Sequence, residues 1–335
     1  MVVIENVVGM NHKFANDEDA PFVQLQQALR DTGRGYIVQG VAVNALHYGA
    51  PQNRPRLMII GLRSDVASNL GVASSNALWR SGFVDEIDMH DIPALAPIPT
   101  VARHSSPTIA DAIGDLQHVL PAPHNARAAA FRKVTKSRRV WGLPRSAKSV
   151  DPIANQQPRK HSDNTQSRFR VYQWLSANGL PPRLLSQLSS GNSLLEARAL
   201  EDISAANFPA TSPDGTVLAH NADEMLVLMQ RLRTKKHTQK ALKWNEPART
   251  VVTLPDDYVH PSEPRIFTVR EMARFQGFPD DFEFRGKETT GSLRRRFEVP
   301  QYSQVGNAVS PFLAFAVGQM IEQTVGDISE VAESA

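Results

Sequence analysis

The sequence predicts an α/β fold interrupted by a separate, irregular module. Three observations carry this reading. Residues 1–63 alternate between strand-like and helix-like patterns, periodicity fades between about 64 and 245, and capped helical segments return from residue 265 onward.

Residues 2–4 are a short apolar strand. Asn16 and Asp17 offer a helix N-cap, Phe22, Leu25 and Leu29 share one helical face, and Gly33 stands where a helix-stopping glycine belongs. Residues 36–43 alternate as a strand. Residues 56–62 read as its partner, after the turn-rich segment 49–55. The pair Gly33 and Gly35 follows a helix and precedes a strand, the wrong order for a phosphate- or cofactor-cradling turn, so it is read as a helix stop. In the middle module only 168–175 and 222–232 read as helical, the second with Met225, Leu228 and Met229 on one face. Thr268 with Glu271 forms a capping box for a helix ending before Pro279, and Ser310-Pro311 opens another. The expected divisions are 1–63, 64–264 and 265–335.

A chain of 335 residues with 41% hydrophobic content can bury a substantial core. It has no signal-like N-terminus and no long apolar run, so a cytoplasmic protein without membrane association is expected. The absence of cysteine excludes disulfides, thiolate metal sites and a cysteine nucleophile among these residues, and no metal site is expected. The formal net charge is +3 and the pI about 9.2. The basic residues gather in two groups. Arg127, Arg132, Lys133, Lys136, Arg138 and Arg139 surround Phe131 and Trp141, and a second group spans Arg231 to Lys243. Such clusters suit phosphate contacts, and equally a solvated charged face.

Four segments, in order, carry a resemblance: Glu5-Asn6-Val7, Gln52-Asn-Arg-Pro-Arg56, the stretch 265–279 with Pro247-Ala-Arg-Thr250 and His260-Pro261 upstream, and Gln304-Val-Gly-Asn-Ala-Val309. The first alone carries little. The stretch beginning at Phe267 is the most specific, and together the four resemble the late motifs of the DNA (cytosine-5) methyltransferases.

The resemblance implies methyl transfer from S-adenosylmethionine to C5 of a cytosine flipped out of double-stranded DNA. It implies that Glu5 serves N3 of the base, that Arg56 holds O2, and that Arg54 orients the loop or a phosphate. Asn6, Gly306 and Asn307 are the implied cofactor contacts, with Ala308 where some members have serine. Target recognition is expected in 64–264, with Arg138, Arg139, Arg159, Lys160, Arg168 and Arg170 as DNA contacts or as ion pairs within the module.

The family's Phe-x-Gly-x-Gly and Pro-Cys motifs are not found in these residues. The expectation is therefore the C-terminal part of such an enzyme: an incomplete Rossmann-like core, an incomplete cofactor site, and an unpaired sheet edge with an uncovered apolar face, awaiting a partner polypeptide that carries those motifs. On this reading the chain is inactive alone and belongs to a split enzyme of a bacterial restriction-modification or phage-defence system, associated with the nucleoid. The alternatives are a truncated product that only binds DNA, and an RNA methylase, which the large middle module argues against.

Overall fold

The computed structural model describes residues 1–14, 19–116, 153–188, 193–289 and 297–334, with the side chains of 327–334 left aside. The chain divides into two compact units, 1–107 with 309–335, and 108–308.

The first unit is built on a four-stranded sheet. Its strands are Val2–Asn6 (β1), Tyr36–Asn44 (β2), Pro55–Arg63 (β4) and Trp79–Arg80 (β5), with the two-residue extended piece Gln52–Asn53 (β3) preceding β4. The spatial order is β1-β4-β2-β5. β4 runs antiparallel to both neighbours, pairing Glu5 with Met58 on one side and Val43 with Arg56 on the other, while β5 is parallel to β2. Alternation along the strands sends successive side chains to opposite faces. Val41, Val43, Met58, Ile60 and Leu62 pack with Leu313, Val317 and Met320 of the helix Pro311–Ser334. Val38, Leu57 and Ile59 pack with Phe22, Leu25 and Leu29 of the helix Pro21–Asp31.

This settles one expectation against the sequence reading. The apolar face predicted to lie uncovered is not bare, because each face of the described sheet carries a helix. The second of these helices comes from the far end of the chain, which strand-by-strand reading of the first 63 residues cannot see.

Local detail follows the sequence closely here. The helix Pro21–Asp31 has proline in its first turn, where a missing N–H costs nothing, and ends before Gly33 and Gly35, which have φ of +61° and +78°. The expected caps Asn16 and Asp17 lie outside the described residues; the N-cap position of the described helix is Ala20. At Gly40 a Cβ would sit 3.2 Å from the Phe22 ring, so the glycine lets helix and sheet approach closely.

The second unit holds two apolar clusters. One gathers Phe169, Tyr172, Trp174 and Leu175 of the helix Asp163–Ala177 with Leu185, with Ala199 and Ile203 of the helix Ser193–Ser204, and with Met225 and Met229 of the helix Ala222–Arg231. The other joins Ile109 and Ile113 to Val269, Met272 and Phe275 of the helix Val269–Gln276, and to Tyr302 and Val305 of the helix Gln301–Asn307. Much of what reads as irregular in sequence is thus helical. Two short strands, Lys240–Ala241 and Tyr258–Val259, pair in parallel and bring distant loops together. No helix among the described residues is long and apolar enough to cross a membrane.

Candidate functional site

In the first unit, strand register creates an acid-base pair. Glu5 faces Met58 across the β1/β4 ladder, and Arg56 lies two residues before Met58, on the same face of β4. Diagonal neighbours on one face are within reach of long side chains. Arg56 Nε donates to Glu5 Oε1 at 2.7 Å, and the same guanidinium donates through Nη1 to the Pro55 carbonyl at 2.8 Å. The Arg56 side chain is 11% exposed and that of Glu5 25%, so the carboxylate keeps an edge open to solvent. Burial lowers the pKa of Arg56 from its ordinary value, against the opposing pull of Glu5.

Arg54 is almost wholly buried. Burial first, and then the neighbouring charge of Arg56, lower its pKa to about 10, partly offset by Glu5. The segment carrying both arginines is tied down by Asn44, a residue the sequence reading passed over. Its Oδ1 accepts from Leu46 N at 3.2 Å and from Arg54 N at 2.9 Å, while its Nδ2 donates to Asn53 Oδ1 at 2.8 Å. Asparagine at the end of a strand, before a turn, is a recognisable signal for this kind of local bond.

The two late motifs meet inside the second unit. Thr268 and Glu271 form the expected capping box, and Glu271 also takes both terminal nitrogens of Arg265 at 2.8 Å. Gln276 Nε2 donates to Val305 O at 2.8 Å and to Ala308 O at 3.3 Å, and Tyr302 OH donates to Phe267 O at 2.8 Å. These bonds lock the segment 265–279 to the segment 301–308. Gly306 is packed so closely that a Cβ would meet the backbone of Val252 and Thr253 at 2.7–2.9 Å. Asn307, the last residue of its helix, is exposed. Asn6, in the first unit, accepts its own neighbour Val7 N at 2.8 Å.

The other expected contacts separate into groups. Arg138 and Arg139, with the whole first basic cluster, lie outside the described residues. Arg168 Nε donates to the Leu232 carbonyl at 2.8 Å, and Arg170 pairs with Asp214 at 2.7 Å, so both are held within the second unit. Arg159 reaches Asp256 at 3.4 Å, and Lys160 is exposed.

Comparison with known proteins identifies the family. The model of the C-5 cytosine-specific DNA methylase family matches residues 1–323. The chain is 26% identical to the type II methyltransferase M.AgeI of Thalassovita gelatinovora over 96% of this chain and 73% of that protein. It is 25% identical to the type II methyltransferase M.DdeI of Desulfomicrobium norvegicum over 99% of this chain and 65% of that one. A crystal structure described as a DNA modification methyltransferase encoded within an E. coli prophage aligns with 97% of this chain and 69% of its own, with TM-score 0.51 and 19% identity, a likeness of fold. The chain spans about two thirds of the length of the three curated relatives it matches over most of its own length, from 63% to 73%.

The match over residues 1–323 overturns the reading of the chain as only the C-terminal part of a methyltransferase, whether as one subunit of a split enzyme or as a truncated remnant. That reading rested on motifs not found and on a sheet face expected to be bare. The family match runs through the middle module as well as the flanking segments, both faces of the sheet are covered, and the comparisons indicate no partner chain.

Proposed function

Because the chain belongs to the C-5 cytosine-specific DNA methylases, we propose that Glu5 and Arg56 grip the edge of a cytosine rotated out of duplex DNA, in the course of methyl transfer to its C5. The observation that carries the reading is the 2.7 Å pair on one face of β1 and β4. A guanidinium beside a carboxyl group matches the O2 and N3 edge of cytosine. Arg56 donates to O2, and the Glu5 carboxyl group gives its proton to N3 as a nucleophile adds to C6 and pushes charge onto the ring. Arg54 and Asn44 hold the segment from which Arg56 projects. DNA contact and sequence recognition belong to residues 64–264 on this reading, through cations such as Arg159 and Lys160.

S-adenosylmethionine, the family's methyl donor, supplies the methyl group when bound. Of the expected contacts, Gly306 is packed against the backbone of Val252 and Thr253, and Asn6 accepts from Val7 N. The 335 residues include no cysteine, so the roles proposed for Glu5 and Arg56 are confined to holding and protonating the base.

The test is binding of the purified chain to duplexes selected from a random pool, with the target cytosine opposite either guanine or an abasic position. Removing the pairing partner lowers the cost of flipping. The abasic duplex binds more tightly, and Glu5→Gln and Arg56→Ala each abolish that preference. Equal affinity for the two duplexes in the unaltered protein sinks the reading.

A further inference from the structure

Asp256 brings together two cations that are distant in sequence. Arg159 Nη1 lies 3.4 Å from its Oδ1, and Lys236 Nζ lies 3.3 Å from its Oδ2. Each carboxylate oxygen takes one cation, as the two free oxygens of a phosphodiester would. The side chains of Arg159, Lys236 and Asp256 are 33%, 44% and 45% exposed, so water reaches all three and the ion pairs add little net stability.

Their placement does not depend on that pairing. The strands Lys240–Ala241 and Tyr258–Val259 join the two loops, Gln239 Nε2 donates to the Asp256 carbonyl at 2.5 Å, and Thr238 Oγ1 donates to Asp257 Oδ1 at 3.1 Å. Lys236 N donates to Thr234 Oγ1 at 3.2 Å. Arg159 is placed by the chain entering the helix Asp163–Ala177, which Ser162 caps.

Beside Arg159 opens a cavity of about 390 Å3, lined also by Lys160, His161 and Gln166. His161 Nε2 is buried there with no hydrogen-bond partner among the described residues. Burial, and then Arg159, lower the His161 pKa, which leaves a neutral ring able to add a hydrogen bond to an anion. The carboxylate in the cavity wall, Glu263, is already bound by Arg265 at 2.6 Å.

We infer that Arg159 and Lys236 form a seat for one backbone phosphate of DNA, and that Asp256 fills this seat as a stand-in anion which DNA displaces. The inference rests on the reading of DNA as substrate. It assigns Asp256 the role of a brake on non-specific binding: an arriving phosphate competes with a carboxylate already in place, so part of the attraction of the two cations is withheld. It also accounts for a carboxylate set between two cations.

The test measures binding of a labelled duplex to the full chain by fluorescence anisotropy across a salt series. Arg159→Ala and Lys236→Ala each flatten the slope of log affinity against log salt by about 0.9 and weaken binding about five- to tenfold, alike for any duplex sequence. Asp256→Asn tightens binding about three- to tenfold. It leaves the melting temperature unchanged, because the backbone carbonyl of Asp256 holds the turn while, among the described residues, its side chain forms ion pairs with the two half-exposed cations. Asp256→Ser gives the same sign. Unchanged slopes in both cation variants, or an Asp256→Asn protein that folds normally and binds no more tightly, overturn the inference while leaving DNA binding intact. An unaltered protein with no salt-dependent DNA binding instead removes the substrate reading on which it rests.

Discussion

Arg56 reaches Glu5 diagonally across two antiparallel strands, two residues from Met58, which is the register partner of Glu5. A slip of one residue in that register would turn Arg56 to the opposite face. The pair is therefore a product of the ladder, and side-chain changes in it separate base holding from folding. Glu5→Gln keeps an oxygen that can accept from Arg56, so stability changes by less than about 1 kcal/mol. The preference for an unpaired cytosine falls about tenfold or more, the scale of one charge-assisted hydrogen bond. Paired denaturant curves and duplex titrations check this, and a loss of fold matching the loss of binding would reduce the pair to a structural one.

Asn44 is expected to matter through the arginines it places. Asn44→Ala removes acceptors from the Leu46 and Arg54 N–H groups and a bond to Asn53, costing about 1–2 kcal/mol. Hydrogen exchange should show the Leu46 and Arg54 amides opening faster while the β2/β4 ladder amides keep their protection. Uniform loss of protection over the sheet would contradict this local role.

Gly306 is a packing residue in this structure. The atoms a Cβ would meet are backbone atoms of Val252 and Thr253, which cannot swing aside as a flexible side chain would. Gly306→Ala is expected to destabilise the protein by about 1–3 kcal/mol through overpacking. A thermal melt decides it: a melting temperature equal to that of the unaltered protein would show that the two segments separate at no cost.

Glu271 makes stability depend on pH. Burial alone would raise its pKa, but Arg265, His260 and the Thr268 N–H outweigh burial and hold it at about 2. A depressed carboxylate contributes fully above its unfolded value of about 4.3, and that contribution is lost as pH falls toward about 2. Urea midpoints of the unaltered protein should therefore drop between about pH 4.5 and 2. Glu271→Gln is less stable at pH 7, by about 3–5 kcal/mol, because Arg265 loses a buried charged partner. Its midpoint should fall less steeply over the acid range, and parallel slopes in the two proteins would show that Glu271 is not the group responsible.

What the sequence revealed, and what it hid, follows from where side chains are buried. The capping box at Thr268 and Glu271, the helix stop at Gly33 and the β2/β4 pairing were legible, because each is written in neighbouring residues or in strict alternation. The helix Asp163–Ala177 was seen only as 168–175. Its buried residues include Phe169, Val171, Tyr172, Gln173, Trp174 and Leu175, which surround the helix rather than striping it, so no 3.6-residue pattern stands out. At the site, Glu5, Arg54 and Arg56 were legible through short motifs. Asn44 and Asp256 were not, since their roles depend on partners that the fold brings from elsewhere. The expectation of a bare sheet face failed for the same reason, because the helix covering it begins 248 positions after β4 ends, at Pro311 after Arg63.

The order β1-β4-β2 has a consequence for how the protein is made. Of the described strands β1 comes earliest in the sequence, yet its neighbour in the sheet is β4, and among the described residues it has no other strand partner. Residues 7–54 must be closed into a loop before Glu5 can meet Arg56, a cost in chain entropy that local helices such as Pro21–Asp31 do not bear. During translation, Glu5 therefore cannot meet Arg56 until β4 has been made. The pairing of acid and guanidinium then follows the synthesis of β4, and a chain arrested before β4 would lack both described strand partners of β2 and the Glu5–Arg56 pair.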